Sequence, residues 1–149
     1  MEINNRIREQ VISDLQSINQ ESGINIAAFF NGLPSYIEVP EDNIYGEGGD
    51  IPAISVSLSD GAFESDEFDA INWSALLIVR IYLVAKKDID AELDEIGQKV
   101  LDVIDSHYTA NGLLTLCNRS SYQYGRDEEQ PWGTLDLTFT IEYEEKSYE

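Results

Sequence analysis

The residues best suited to catalysis are few and lie apart in this 149-residue chain, which has one histidine, His107, and one cysteine, Cys117. A Cys–His nucleophile needs the two side chains to meet and usually a third group to orient the base. His107 comes at the end of a predicted helix, where a hydrogen-bonding or positive group is favoured. Free cysteine is among the most buried residue types. We therefore expect a capping or surface role for His107 and an inert buried thiol for Cys117, with a Cys–His pair as the alternative.

Carboxylates are abundant: the chain has 29 acidic and 9 basic residues, and its net charge is −20. Two acidic clusters lie at residues 64–69 and 127–129. Paired carboxylates cleave glycosides, and carboxylate oxygens bind hard cations such as Mg²⁺ and Ca²⁺. Neither cluster has the spacing of an EF-hand loop, and so many exposed acids make any one pair uninformative. We expect solvated charge with weak cation binding as the alternative, and we predict no catalytic residue, no cofactor and no dedicated metal site.

The charge also restricts the partners. A strongly acidic chain cannot neutralise a row of phosphates, which argues against specific nucleic-acid binding and against anionic membranes. The longest strongly apolar run, Ala75–Ala85, contains Arg80 and is shorter than the roughly 20 residues that a membrane-spanning helix needs. A single cysteine allows no internal disulfide. We expect a soluble protein made in a cytoplasm.

The first half of the chain contains one helix and several short strands. Apolar residues recur every three or four positions in a predicted helix from about Glu2 to Asn19. Two short strands, Ala27–Phe30 and Tyr36–Val39, flank a turn and predict a small hairpin. Residues 54–59 alternate between apolar residues and serine, which indicates a half-buried strand. The acidic segment Gly61–Asn72 is predicted to be a loop.

The second half adds a helix between long strands. Trp73–Ala85 is apolar on both faces for part of its length and is predicted to be the central strand. A second helix is predicted from residue 88 to near residue 107. Asp88, Asp90 and Glu92 lie at its start, where acidic side chains suit the positive end of the helix dipole. Residues 110–117 are ambiguous, and strands follow at Arg119–Gly125 and Trp132–Glu144. The last strand alternates clearly, with an apolar face made of Leu135, Leu137, Phe139, Ile141 and Tyr143.

A sheet with one apolar face packs helices on that side and leaves the other side for water or a partner. The sequence therefore predicts one α+β domain over residues 1–149, with a mostly antiparallel mixed sheet and two main helices packed on one face.

Short motifs in a fixed order carry a family resemblance across nearly the whole chain. They include Phe29-Phe30-x-Gly32-x-Pro34, Ile51-Pro52-Ala53 and Tyr122-x-Tyr124-x-Arg126-Asp127, followed by a closing strand that begins at Trp132. In their order and spacing they resemble the minor tail protein U family, the tail terminators of long-tailed, lambda-like phages. The chain departs from that pattern in a longer loop at Glu41–Asp50 and a tail at Lys146–Glu149.

The resemblance implies a structural protein and not an enzyme. A terminator of this kind forms a hexameric ring with itself, caps the tail tube protein, and presents a surface to the head–tail completion protein. DNA passes through the ring without being bound specifically. The location implied is the virion tail, after assembly in the cytoplasm of a bacterial host. Six copies of a chain with a net charge of −20 carry −120, so we expect weakly bound Mg²⁺ or salt screening to assist ring closure.

Charged residues near element ends are the predicted contacts in such a ring. Arg80 lies inside an apolar strand, where it is either an edge-of-sheet arginine that reaches water or one half of an intersubunit salt bridge. Arg126 has the same two interpretations. The complete predicted interface set is Glu64, Asp66, Glu67, Asp69, Arg80, Asp88, Asp90, Arg126 and Asp127.

Three other functions remain as alternatives. One is a different tail-completion or adaptor protein. Another is a small ligand-binding or hydrolytic domain, which predicts a monomer or dimer with a concave apolar pocket. The third is an acidic mimic of nucleic acid, which is weakened because the acids are spread over helices, loops and strand ends.

Overall fold

Five strands form one mixed sheet in the computed structural model, which describes residues 1–21, 24–34, 51–67, 69–84, 88–126 and 132–146. The strands are β1 (Ala28–Asn31), β2 (Ala53–Glu67), β3 (Ala70–Val84), β4 (Leu114–Arg126) and β5 (Trp132–Lys146). Their order across the sheet is β1-β2-β3-β5-β4. Only β1 and β2 are parallel, and the other neighbours are antiparallel. The predicted α+β class and the mostly antiparallel sheet are confirmed.

Two main helices and one short helix accompany the sheet. They are α1 (Glu2–Leu15), α2 (Ser17–Glu21) and α3 (Ile89–Val103). The periodic apolar residues of α1 and α3 are buried in one core with those of the sheet, because a 3.6-residue period gives each helix one apolar side. The prediction of two main helices packed on one face is confirmed, although the first ends at Leu15 and α2 continues toward residue 21.

Strand β5 shows how the sequence determines the two faces of the sheet. Its predicted apolar residues are all buried, from Leu135 to Tyr143. The residues between them, such as Asp136 and Glu142, lie on the opposite side because successive strand side chains alternate. We call the side that α1 and α3 cover the helix face, and the other side the second face.

The acidic segment predicted as the loop Gly61–Asn72 is instead a hairpin, and that prediction is wrong. Strand β2 continues to Glu67, and β3 begins at Ala70. Backbone pairing reaches Glu67 opposite Ala70, with bulges between residues 59 and 62 and between 63 and 65. The exposed end of the hairpin has little core to face, so its side chains do not alternate and the sequence pattern conceals the strand.

Strand β1 has a different partner from the one expected. It pairs in parallel with β2, with Ala28 opposite Ala53. The predicted hairpin partner, Tyr36–Val39, lies outside the described residues, as does the Glu41–Asp50 loop. The ambiguous segment before Cys117 is resolved: β4 begins at Leu114, after three residues with positive φ at Ala110, Asn111 and Gly112.

The second face carries a small apolar cluster at one end. Ile51, Ala53 and Tyr82 are buried there, and Trp132 packs against them. Ser55 is buried beside this cluster with its hydroxyl 3.3 Å from that of Tyr82, so its polar group is satisfied. Within the described ranges, no helix has the length and apolar character needed to cross a membrane.

Candidate interaction surfaces

The two candidates for nucleophilic chemistry lie in different environments. Cys117 is buried in the core as predicted, and this burial raises the pKa of its thiol to about 11. His107 is exposed in the turn after α3, where its backbone N–H donates to Asp105 Oδ1 at 2.9 Å. A buried thiol that holds its proton is a poor nucleophile. The structure therefore gives no support to a Cys–His pair.

The predicted acidic residues are spread along the β2–β3 hairpin. Asp66 and Asp69 are exposed, and Glu64 Oε1 accepts a hydrogen bond from Ser74 Oγ at 2.8 Å. The side chain of Glu67 and the whole of Asp127 lie outside what the structure describes. Among the described residues, no three histidine, cysteine or acidic side chains are grouped so as to hold a metal ion. Weak Mg²⁺ binding stays a prediction.

Arg80 has its carboxylate partner within its own chain. Its Nε donates to Asp136 Oδ1 at 2.6 Å, and its Nη2 donates to Oδ2 at 2.8 Å. The two residues are directly opposite on β3 and β5, in the interior of the sheet. The hydrogen bonds to Asp136 raise the pKa of the guanidinium above its ordinary value. The prediction that Arg80 lies at the edge of the sheet is wrong. Its strand, β3, is central, with β1 and β2 on one side and β5 and β4 on the other.

Two other predicted contact residues meet near the start of α3. Arg126 Nη2 lies 3.6 Å from Asp90 Oδ1, and both side chains are more than half exposed. An exposed pair at this distance contributes little stability, so both groups stay available to a partner. The neighbouring Asp88 has a left-handed φ of 65° and makes no side-chain cap. The Arg126 guanidinium lies against Gly133, in space that a Cβ at that position would occupy.

A groove between α3 and β4 was not found by sequence reasoning. It has a volume of about 370 Å³. Leu101, Leu135 and Leu137 supply its apolar lining, and Arg119 is one of its polar lining residues. The sequence shows aromatic residues on β4, but only the position of α3 turns them into the wall of a groove.

Two tyrosines form the outer wall of this groove, which we call the α3/β4 groove. Tyr122 is 68% exposed and Tyr124 is 40% exposed. Their rings pack edge to face, with centroids 5.7 Å apart. The Tyr124 hydroxyl donates to Asp94 on α3, and this hydrogen bond raises the pKa of Tyr124 to about 12. Large exposed aromatic side chains of this kind are typical of protein interfaces.

The outer part of the β2–β3 hairpin carries another exposed aromatic side chain. Phe63 is 58% exposed and packs edge to face against Trp73, with ring centroids 6.4 Å apart. Trp73 Nε1 donates to Glu145 Oε1 at 3.2 Å, and the amino group of Met1 lies 2.9 Å from Glu145 Oε2. These contacts link the hairpin to β5 and to the start of α1. Phe63 therefore lies on a hairpin that is held in place by contacts with the rest of the domain.

The structure thus separates the predicted contact residues into three places. The acidic hairpin lies toward one edge of the sheet, Arg126 lies on the opposite edge strand, and Arg80 lies between them. Asp90 and Arg126 come together, whereas Arg80 pairs with a residue outside the predicted set.

Comparison with known proteins gives a consistent result over almost the whole chain. The family model for phage minor tail protein U matches residues 2–143. A tail tube terminator protein of Escherichia phage N15 is 30% identical over 140 residues, which cover 93% of this chain and 96% of that protein. A chain in the virion of a native gene transfer agent particle has a similar fold. Its TM-score is 0.58 at 14% identity, with 93% of this chain and 92% of that chain covered. The chain belongs to the phage minor tail protein U family.

Proposed function

We propose that this protein is a phage tail terminator, which forms a ring on the end of the tail tube, stops tube polymerisation and provides the joining surface for the head. The similarity to the N15 tail tube terminator carries this proposal, because it extends over 93% of the chain and 96% of that protein. The two proteins therefore match over almost their full lengths and not over a shared fragment.

The arrangement of the described residues supports a role in binding. Among the described residues, one core joins α1 and α3 to the helix face of the sheet, and the Cys117 thiol is buried in it. The exposed features are the polar side chains of β5 on the second face, an acidic hairpin and an aromatic groove. Such features recognise other protein surfaces, whereas acyl or phosphoryl transfer requires an oriented nucleophile or a cation clamp.

The charge fits a ring through which DNA passes. The second face presents polar and acidic side chains along β5, including Thr138, Thr140 and Glu142. An acidic lumen wall repels the phosphates of DNA, whereas a basic wall would attract them. The acidic wall therefore keeps passing DNA from adhering. The same charge opposes ring closure, since six copies carry −120.

We therefore include cation-assisted assembly in the proposal. The exposed acids Glu64 and Asp69 on one hairpin are natural sites for screening or for weakly held Mg²⁺. Light scattering of the eluting protein in about 10 mM MgCl₂, compared with about 30 mM NaCl of equal ionic strength, separates the two effects. Larger assemblies in both salts show screening, and larger assemblies in MgCl₂ alone show cation binding. A mass that does not respond to either salt contradicts this part of the proposal.

The test of the terminator function is an elongation assay with the cognate tail tube protein. Tubes are grown with and without this protein, and their lengths are measured by electron microscopy. We expect growth to stop after addition, with a ring at the tube end. An unrelated acidic protein of similar net charge is the control for a general charge effect. Tubes that keep growing and show no ring would overturn the proposal.

A further inference from the structure

The sheet has two open edges that lie on opposite sides of the subunit. Among described strands, β4 pairs only with β5, so its outer edge is unpaired over 13 residues. On the other side, β1 pairs with β2 only from Ala53 to Val56. From Ser57 to Glu67, the outer edge of β2 has no described strand beside it. Unpaired backbone N–H and C=O groups at an edge are a template for another strand.

These two edges carry opposite charge. In a chain with a net charge of −20, β4 contains Arg119 and Arg126 and no acidic residue. The outer half of β2 contains four acidic residues and no basic residue. Two β2 edges would repel each other, and so would two β4 edges, because like charges opposite each other destabilise a strand pair. The only attractive combination is β2 of one copy with β4 of another.

The two edges also match in shape on the same face of the sheet. Phe63 is opposite Trp73, which points to the helix face with Ala75 and Leu77. On the other edge, Tyr122 is opposite Leu137, which also points to the helix face. A sheet continued from one copy into the next would therefore place the exposed ring of Phe63 beside the α3/β4 groove.

The strand directions permit this continuation. β2 is antiparallel to β3, β3 to β5 and β5 to β4, so β2 and β4 run in opposite directions within one subunit. A neighbour in the same orientation then presents its β2 antiparallel to β4. With Phe63 opposite Tyr122, Asp66 comes opposite Arg119, because both pairs are three residues apart, or about 10 Å along a strand.

We propose that the outer half of β2 from a second copy of this chain pairs antiparallel with β4, so that Phe63 packs against Tyr122 at the outer wall of the α3/β4 groove and Asp66 pairs with Arg119. This inference rests on the proposed ring and identifies its subunit contact. Arg119 is exposed and has no carboxylate partner among the described residues, so it is available for this pair. A contact between two different surfaces of identical subunits is heterologous, and it closes into a ring when the rotation permits.

Charge exchange tests the pairing. Asp66→Arg and Arg119→Glu each create a repulsive contact, and we expect each variant alone to need at least about tenfold more protein to assemble. Mixed in equal amounts, the two variants form unlike contacts at both edges and should assemble again, as should the double variant. Phe63→Ala should also weaken assembly, because it removes the aromatic contact and leaves the charged pair unchanged. Both charged positions are exposed, so the monomers should keep the wild-type melting temperature.

Matched controls change the same charges elsewhere. Glu95→Arg on α3 and Arg6→Glu on α1 alter the net charge by the same amounts at exposed positions, and both should assemble like the wild type. Assembly is followed by light scattering in solution and on tube ends. If the wild type forms no ring in either setting, the proposed function fails and this inference with it. If the wild type forms rings and the single variants do so equally well, the pairing is overturned while the function stands. A failure of the mixed variants to recover also overturns the pairing.

Discussion

The Arg80–Asp136 pair should stabilise the single subunit, and its contribution can be worked out from its geometry. Two charge-assisted hydrogen bonds of 2.6 and 2.8 Å join the side chains in a bidentate arrangement. The Arg80 side chain is 34% exposed and the Asp136 side chain is 19% exposed. Exposed pairs contribute about 0–1 kcal/mol, and breaking a buried pair costs about 3–5 kcal/mol. A partly buried pair should lie between these limits, with a coupling free energy of about 1–3 kcal/mol.

A double-mutant cycle measures this coupling. Arg80→Ala, Asp136→Ala and the double variant are unfolded in urea, and the free energies of unfolding are compared. A loss of 1 kcal/mol corresponds to a fall in melting temperature of about 2–4 °C for a protein of this size. The Arg126–Asp90 pair, at 3.6 Å and more than half exposed on both sides, is the matched control. Its coupling should be below about 1 kcal/mol.

Protein concentration separates an intrasubunit pair from an intersubunit one. A bond within one chain contributes the same coupling at every protein concentration, whereas a bond between chains contributes more as the assembly forms. A coupling for Arg80 and Asp136 no larger than that of the control pair, or one that grows with protein concentration, would refute the assignment.

Three further predictions concern the core and the groove. The Cys117 thiol should react with a disulfide reagent at pH 8 at least about 100-fold more slowly in the folded than in the unfolded chain, because a pKa of about 11 in place of 9.0 leaves a hundredfold less thiolate; equal rates would contradict its burial. Gly97→Val should lower the free energy of unfolding by about 1–3 kcal/mol in chemical denaturation, because even a Cβ at this position would lie 2.9 Å from Leu135 Cδ2; an unchanged midpoint would show that α3 can move away. The raised pKa of Tyr124 means that its contribution to stability is present below pH 10 and is lost as the pH rises toward 12. Ultraviolet absorbance titration should find that Asp94→Ala lets this tyrosine ionise at lower pH, and an unchanged titration would exclude the hydrogen bond.

Where a segment buries one complete face, the sequence predicted the structure well. Strand β5 alternates from Leu135 to Tyr143, and each apolar residue is buried because the core lies on one side only. The same argument holds for α1 and α3, whose apolar residues follow the helical period and enter one core.

The sequence failed where backbone pairing, and not burial, determines the structure. Residues 61–67 form a strand because they pair with β3 at an exposed end of the sheet, where neither face needs to be apolar. The parallel pairing of β1 with β2 joins segments that are distant in sequence, and no local pattern reveals it.

The candidate contacts were predictable as residue types but not as pairs. Arg80 was recognised as unusual inside an apolar strand, yet its partner Asp136 depends on the register between β3 and β5. Likewise, the tyrosines of β4 were visible in the sequence, whereas the groove beside them exists only because α3 packs over Leu135 and Leu137.

The position of the protein on assembled tails distinguishes a tail terminator from every other kind of tail protein. Antibody-gold labelling or cryo-electron microscopy of intact particles would show where the chain lies relative to the tube and the head. A tail terminator should appear as one ring per tail, at the end of the tube that joins the head. Label distributed along the tube, or confined to the opposite end, would contradict it.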